Sequence, residues 1–329
     1  MFIPFSSESI RYTGRFAEDC TNINDTPTMT ATAPGSYFEL AFRGDMCVLR
    51  FNIDFNTTPL PHLWIEVDGG AKVEVPLDRF IRLQAGEGEH TVKVTFKGVR
   101  EIHHRWYHPL SGKVSFEGYD ADAPGSLPED NRKTIELVGD SITEGVLIDE
   151  DYRYFEEDQK NRQYQDDATA TYAYLTAEAL NLRPLNMGYG AVGVTRSGCG
   201  AVPKAAEAYP FCFDGAPVTY DHPDYILINH GANDRRGSEE NYIREYKGLL
   251  DVVRSAHPTS KIICLSAFLG VFPTALKELI NTYNREHNDN ILFIDATLWV
   301  PPQPLHPARD GHRIIADKLT AILKKELSL

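Results

Sequence analysis

Thr134-Ile-Glu-Leu-Val-Gly-Asp-Ser-Ile-Thr-Glu-Gly145 is the stretch on which the reading of this chain turns. Residues 134–138 form a short, largely apolar run with a β-branched start, the pattern of a buried strand. Gly139 and Asp140 break the run, and from Ser141 the chain can enter a helix. A hydroxyl there faces orphan backbone N–H groups and the positive end of a helix dipole. That environment favours the negative charge that develops during acyl transfer. The competing role for Ser141 is an ordinary N-cap at a strand-to-helix turn.

Partners decide between the two. A hydroxyl becomes a useful nucleophile only when a base takes its proton and donors hold the oxyanion. Residues 224–229 form an apolar strand followed by His230-Gly231-Ala232-Asn233-Asp234, where the Asn233 amide can donate to an oxyanion or form an Asx turn. Leu305-His306-Pro307 precedes a helix that carries Gly311-His312-Arg313, so His306 and His312 compete for the role of base. Between these blocks lies Asn186-Met187-Gly188-Tyr189-Gly190-Ala191-Val192-Gly193, a small-residue loop whose backbone can approach a ligand closely.

Composition bounds the rest. A length of 329 residues allows two domains with real cores. A formal charge of −14 excludes a basic nucleic-acid-binding face and disfavours anionic membranes. No apolar run approaches the roughly 20 residues that span a bilayer. The opening Met-Phe-Ile-Pro-Phe-Ser-Ser-Glu lacks the basic and apolar regions of a signal peptide, so a cytoplasmic protein is expected. The five cysteines are odd in number, with no Cys-x-x-Cys and no zinc spacing, and are expected as free thiols. His103-His104 is expected at the surface, and no metal or organic cofactor is implied.

From about residue 36 to 120 hydrophobicity alternates with period two, as at Phe38, Leu40 and Phe42 or Cys47, Leu49 and Phe51. Asp68-Gly69-Gly70 between two such runs is a hairpin signal. Several short strands and no helix predict a β-sandwich of jelly-roll type over residues 1–125. Polar, proline-bearing residues 120–133 read as a linker. Over residues 126–329 strands alternate with helices, the latter expected at 166–181, 239–257, 273–287 and 310–327. That grammar predicts an α/β domain with a doubly wound parallel sheet, whose ligands sit beyond the C-terminal strand ends. Residues 149–167 form an acidic, tyrosine-rich insert, read as a solvated loop or a lid.

Gly139-Asp140-Ser141, the glycine-bearing loop, Gly231-Ala232-Asn233-Asp234 and His306-Pro307, in this order, resemble the SGNH (GDSL-like) hydrolase superfamily. Together with the N-terminal strands, Arg11-Tyr12-Thr13-Gly14-Arg15 and Val194-Thr195-Arg196, they resemble the two-domain acetyl esterases of carbohydrate esterase family 2. The resemblance implies Ser141 as nucleophile, His306 as base, and an oxyanion hole from Asn233, the Ser141 N–H and a loop N–H near Ala191 or Gly190. A backbone donor tolerates Ala at 191 if its φ is negative.

One departure stands out: where many members carry a histidine-orienting Asp, this chain has Gln303. That leaves a Ser–His dyad helped by Gln303 or backbone carbonyls, or a triad completed from elsewhere, with Asp295 and Asp310 nearest in sequence. Trp299 is the tryptophan expected to touch substrate. The implied activity is removal of O-acetyl groups from xylan- or mannan-type oligosaccharides. The alternatives are a lipase- or thioesterase-like hydrolase of the same fold and a carbohydrate-binding protein with a decayed site. Oligomeric state is not legible.

Overall fold

The computed structural model describes residues 1–149, 162–220 and 222–328. The expected insert therefore falls mostly, at 150–161, outside the described residues.

The N-terminal part forms two antiparallel six-stranded sheets. One runs Phe16–Asp19, Thr28–Ala31, Val114–Asp120, Met46–Asn52, Phe80–Gln84, with Phe2–Pro4 also pairing on Val114–Asp120. The other runs Ala123–Pro124, Tyr37–Arg43, Glu89–Gly98, His62–Val67, Val73–Pro76, with Ile10–Thr13 pairing on Tyr37–Arg43. The alternating residues meet between the sheets: Phe38 stacks on Phe116 at 4.2 Å between centroids, and Leu40, Leu49, Phe51 and Val94 fill the same core. Asp68-Gly69 makes the expected hairpin, with φ of 52° and 66° and a 2.9 Å bond from the Gly70 N–H to the Val67 carbonyl. Two differences from the sequence reading have one cause. Strands before residue 36, and Ala123–Pro124 inside the expected linker, are two to four residues long. Such lengths hold too few alternations to register as a period.

The second half is a five-stranded parallel sheet in the order Arg183–Gly188, Thr134–Gly139, Tyr225–Asn229, Lys261–Leu265, Leu292–Ile294. Both faces are covered. Ile226, Ile228, Ile262 and Cys264 pack under the helices Glu239–Ala256 and Pro273–His287; Leu137, Leu227, Ile263 and Leu265 pack under Tyr172–Ala179 and Arg309–Glu326. The first of the four expected helices is shorter than its apolar spacing predicts. Asp167 and Thr171 cap backbone N–H groups there, splitting it into a 3₁₀ turn at Ala168–Ala170 and the helix proper. With the strand order 2-1-3-4-5, chain direction switches between the first and third strands, and ligand crevices form at such points.

Buried charge joins the two halves. Arg15 donates to the carbonyls of Tyr209 and Phe211 and pairs with Glu136 at 2.9 Å, with side chains only 1% and 0% exposed. Tyr209 and Tyr220 hydroxyls complete the Glu136 carboxylate. Glu136 sits inside the strand read as apolar, so its charge is tolerable only with that cation. Removing one partner of a buried pair costs about 3–5 kcal/mol, whereas replacing both with apolar groups is often near neutral. Arg15→Met is accordingly expected to lower the urea midpoint sharply, and Arg15→Met with Glu136→Leu to recover part of the loss. Equal losses in the two variants would mean that Arg15 acts by packing and not by charge.

Candidate active site

At the C-terminal end of the first parallel strand the chain turns into a single helical turn, Ser141–Glu144. Asp140 is its N-cap: its carboxylate accepts from the Ile142 N–H at 3.0 Å, and its carbonyl accepts from the Thr143 and Glu144 N–H groups. Ser141 is therefore not the cap. Its own N–H is the one amide of that turn with no protein acceptor among the described residues. The Ser141 hydroxyl lies 3.0 Å from His306 Nε2. Of the two competing histidines, the fold brings His306 to the serine.

His312 serves elsewhere. It is buried, accepts from the Tyr172 N–H at 2.9 Å and hydrogen-bonds the Pro307 carbonyl. Burial, with the charges of His306 and Arg309 adding to it, drives its pKa down to about 3, so it is a neutral strut under the His306 turn. Arg309 fastens that turn from the other side, pairing with Asp149 and with Asp167 at 3.0 Å while its N–H reaches the Ile148 carbonyl.

The loop after the second strand supplies a donor, though not as expected. Tyr189, Val192 and Gly193 N–H groups bond to Gly139, Tyr189 and Arg196 carbonyls. The Gly190 N–H faces the Glu144 carboxylate and helps hold its charge. Among the described residues, the Ala191 N–H has no acceptor. Its φ is +58°, not negative, so the L-residue here is held in a left-handed conformation. Asn233 extends one amide to the Val192 carbonyl at 3.0 Å and to Asp140 at 3.3 Å, tying the donor loop to the nucleophile turn. The 3.3 Å contact is long for a hydrogen bond, so that N–H can be shared with a developing oxyanion. Asp234 is structural, gathering the Val194 and Thr195 N–H groups and the Thr195 hydroxyl. Burial, with Asp234 and Glu144 nearby, raises the Asp140 carboxyl to about 7, while the Ile142 N–H pulls the other way.

The expected helpers of His306 are placed differently. Gln303 is exposed, with no hydrogen bond to His306. Asp295 is engaged by Thr297 and Ser266, and Asp310 is exposed beside Arg313. None of the three orients the imidazole. Trp299 is half-buried against the core, with the Lys318 ammonium 5.8 Å from its ring centroid. The sequence reading missed Arg105, which belongs to the N-terminal half yet pairs with Glu144 behind the site, with side chains 0% and 2% exposed. An arginine in an irregular, turn-rich stretch carries no periodic signal, so only the fold reveals it.

Comparison with known proteins identifies the family and the fold. Residues 137–314, more than half of the chain, match the GDSL-like lipase/acylhydrolase family. The cellulase/esterase CelE of Acetivibrio thermocellus is 26% identical over 245 residues, 66% of this chain; the match spans only 28% of that relative's length. Among solved structures, a family two carbohydrate esterase from Cellvibrio japonicus superposes with a TM-score of 0.78 at 22% identity, covering 99% of this chain and 97% of that one. One from Clostridium thermocellum, in complex with cellohexaose, gives 0.75 at 23% identity, covering 97% and 99%. The acetyl xylan esterase Est2A of Butyrivibrio proteoclasticus gives 0.75 at 20%, covering 100% and 98%. These likenesses extend the shared fold over both halves. The Ser141 turn, the Ala191 loop and the His306 turn lie within the matched segment, and the chain belongs to the GDSL-like lipase/acylhydrolase family.

Proposed function

We propose that this chain is a carbohydrate acetyl esterase that removes O-acetyl groups from xylan- or mannan-type oligosaccharides. The observation that carries the reading is the 3.0 Å contact between the Ser141 hydroxyl and His306 Nε2 beside two unclaimed backbone donors. Whole-chain likeness to family two carbohydrate esterases, one solved with cellohexaose and one an acetyl xylan esterase, supports a saccharide substrate. In this reading residues 126–329 form the catalytic domain and 1–125 a separate β domain. The strand orders of its two sheets support the jelly-roll assignment.

Catalysis proceeds by two acyl transfers. His306 Nε2 takes the proton of Ser141 as Oγ attacks the acetyl carbonyl. The Ser141 and Ala191 N–H groups and the Asn233 amide receive the oxyanion, where charge stabilisation in a site closed to water is worth most. His306 then protonates the departing sugar hydroxyl. It next activates water to release acetate from Ser141. Gln303, Asp295 and Asp310 stand apart from His306, so none of the three serves as its orienting partner.

Three measurements test the assignment. Ser141→Ala and His306→Ala are each expected to lower kcat roughly 10³-fold or more with the fold intact, because either loss disables the unit. His312→Ala is expected to lower Tm instead; the reverse pattern would reassign the base. Gln303→Ala, at an exposed and unbonded position, should change kcat/KM by no more than about 2-fold.

Ala191→Gly keeps the N–H and relieves the left-handed strain of about 1–2 kcal/mol, so Tm is expected to rise with activity retained. A fall in Tm would mean that the Ala191 methyl group packs favourably.

For substrate class, kcat/KM is expected to fall from p-nitrophenyl acetate to butyrate to octanoate, and acetylated xylo- or manno-oligosaccharides to release acetate. Octanoate as the best substrate would favour a lipase-like enzyme instead.

A further inference from the structure

The loops after Met46–Asn52 and Glu89–Gly98 in the N-terminal half enclose a cavity of about 470 Å³ bounded by Phe55, Thr57, Arg100, Ile102, His103 and Ser111. Its size falls within the roughly 300–1,000 Å³ of small-molecule sites. Two features of its walls have no structural justification. His103 is buried, and among the described residues neither ring nitrogen has a hydrogen-bond partner. An imidazole left so costs free energy that a native structure ordinarily recovers through a bound group. Burial, followed by the charges of Arg100, Arg105 and His104, pushes its pKa down to about 4, so the ring is neutral, offering one donor and one acceptor.

The second feature is Phe55. Its φ is +66°, where a bulky side chain is strained, and the residue is 46% exposed, so its ring brings little core packing in return. The conformation is enforced from behind. Asn56 exchanges two 3.0 Å hydrogen bonds with the Lys113 backbone, and the Thr57 N–H reaches the Ser111 carbonyl at 3.0 Å. Glycine would adopt this turn without strain. The aromatic ring is thus held at the surface against the backbone's own preference. Ile102, 52% exposed, extends the apolar wall.

We infer that this cavity is a second saccharide-binding site, in which an unsubstituted sugar ring lies against Phe55 and Ile102 and its hydroxyls pair with His103 and Ser111. A sugar ring presents an apolar C–H face and, at its edge, hydroxyls that both donate and accept. A neutral imidazole matches that edge; an anion would leave its acceptor nitrogen unmatched. A metal would need further ligands, and among the described residues no cluster of three His, Cys, Asp or Glu could hold one. The inference rests on the reading of the chain as a saccharide esterase for the choice of ligand, not for the existence of the site.

The test uses the full chain with unacetylated xylohexaose and mannohexaose, titrated calorimetrically, against Phe55→Gly and His103→Asn. Phe55→Gly is expected to raise Tm, because it removes strain, while weakening binding at least 10-fold; a misfolded variant cannot do both. His103→Asn is expected to weaken binding as well, with kcat/KM for p-nitrophenyl acetate unchanged in both variants. Hexasaccharide binding unaltered by Phe55→Gly and His103→Asn, or no binding by the unmodified chain, overturns the site. Acetate release from acetylated oligosaccharides by the unmodified chain is scored separately. Its absence beside Phe55-dependent hexasaccharide binding would refute the esterase substrate and leave the site standing.

Discussion

Much of this structure depends on how closely one helical turn can be pressed onto the ends of two parallel strands. A Cβ at Gly139 would stand 2.1 Å from the Thr143 hydroxyl, and one at Gly188 would stand 2.4 Å from the Glu144 nitrogen. Gly145, at φ +89°, lets the chain leave the turn against the Asp167 carbonyl. With these three contacts bare of side chains, the Ser141–Glu144 turn sits between the first and second strands. Asp140 then satisfies three of its four leading amides, and only Ser141's remains unclaimed. A cap that both stabilises the turn and leaves that donor open is the local condition for an oxyanion site.

Closeness of this kind has an electrostatic cost, and the N-terminal sheets offset it. Glu144 and Glu136 are carboxylates with essentially no exposure, and each is matched by an arginine from the other half: Arg105 and Arg15. A carboxylate isolated at such depth would protonate or destabilise the fold. Glu144, held by Arg105, in turn receives the Gly190 N–H and so helps set the loop that presents Ala191. The β half therefore bears on the geometry of the Ser141 turn through buried charge.

The base turn is held by a different logic. His306 lies on an irregular segment, where conformational freedom would blur a 3.0 Å contact. Two residues of the helix that follows restrain it: His312 through the Pro307 carbonyl, and Arg309 through Asp149 and Asp167. Asp167 also accepts from Trp64 at 3.1 Å, which extends the restraint to the N-terminal sheets. Placement of the His306 ring is thus shared across the molecule, the kind of restraint that catalysis by positioned groups requires.

Sequence alone determined the features written in short-range chemistry. Four of the five parallel strands and three of the four long helices follow from apolar runs and 3.6-residue spacing, and the start of the helix Pro273–His287 was legible because Pro273 suits a first turn. The strand Arg183–Gly188 was not, because its end, Asn186-Met187-Gly188, reads as part of a small-residue loop. That Ser141, Asn233 and His306 come together was expected from blocks standing in one order, and the fold brings His306 to Ser141 and Asn233 to the adjoining Asp140. What tertiary structure decided was everything carried by long-range contact. The terminal strands of the β half are stabilised by neighbours, not by their own pattern. Gln303 stands near His306 in sequence, yet the fold leaves it in solvent, while Arg105 and Arg309 are drawn into the support of the site. The Ala191 N–H is left open among the described residues because the chain there takes a left-handed turn while the Tyr189, Val192 and Gly193 N–H groups find acceptors elsewhere. Local pattern records which face of an element is buried; it does not record what that face meets, and buried charge and unclaimed amides are defined only by what they meet.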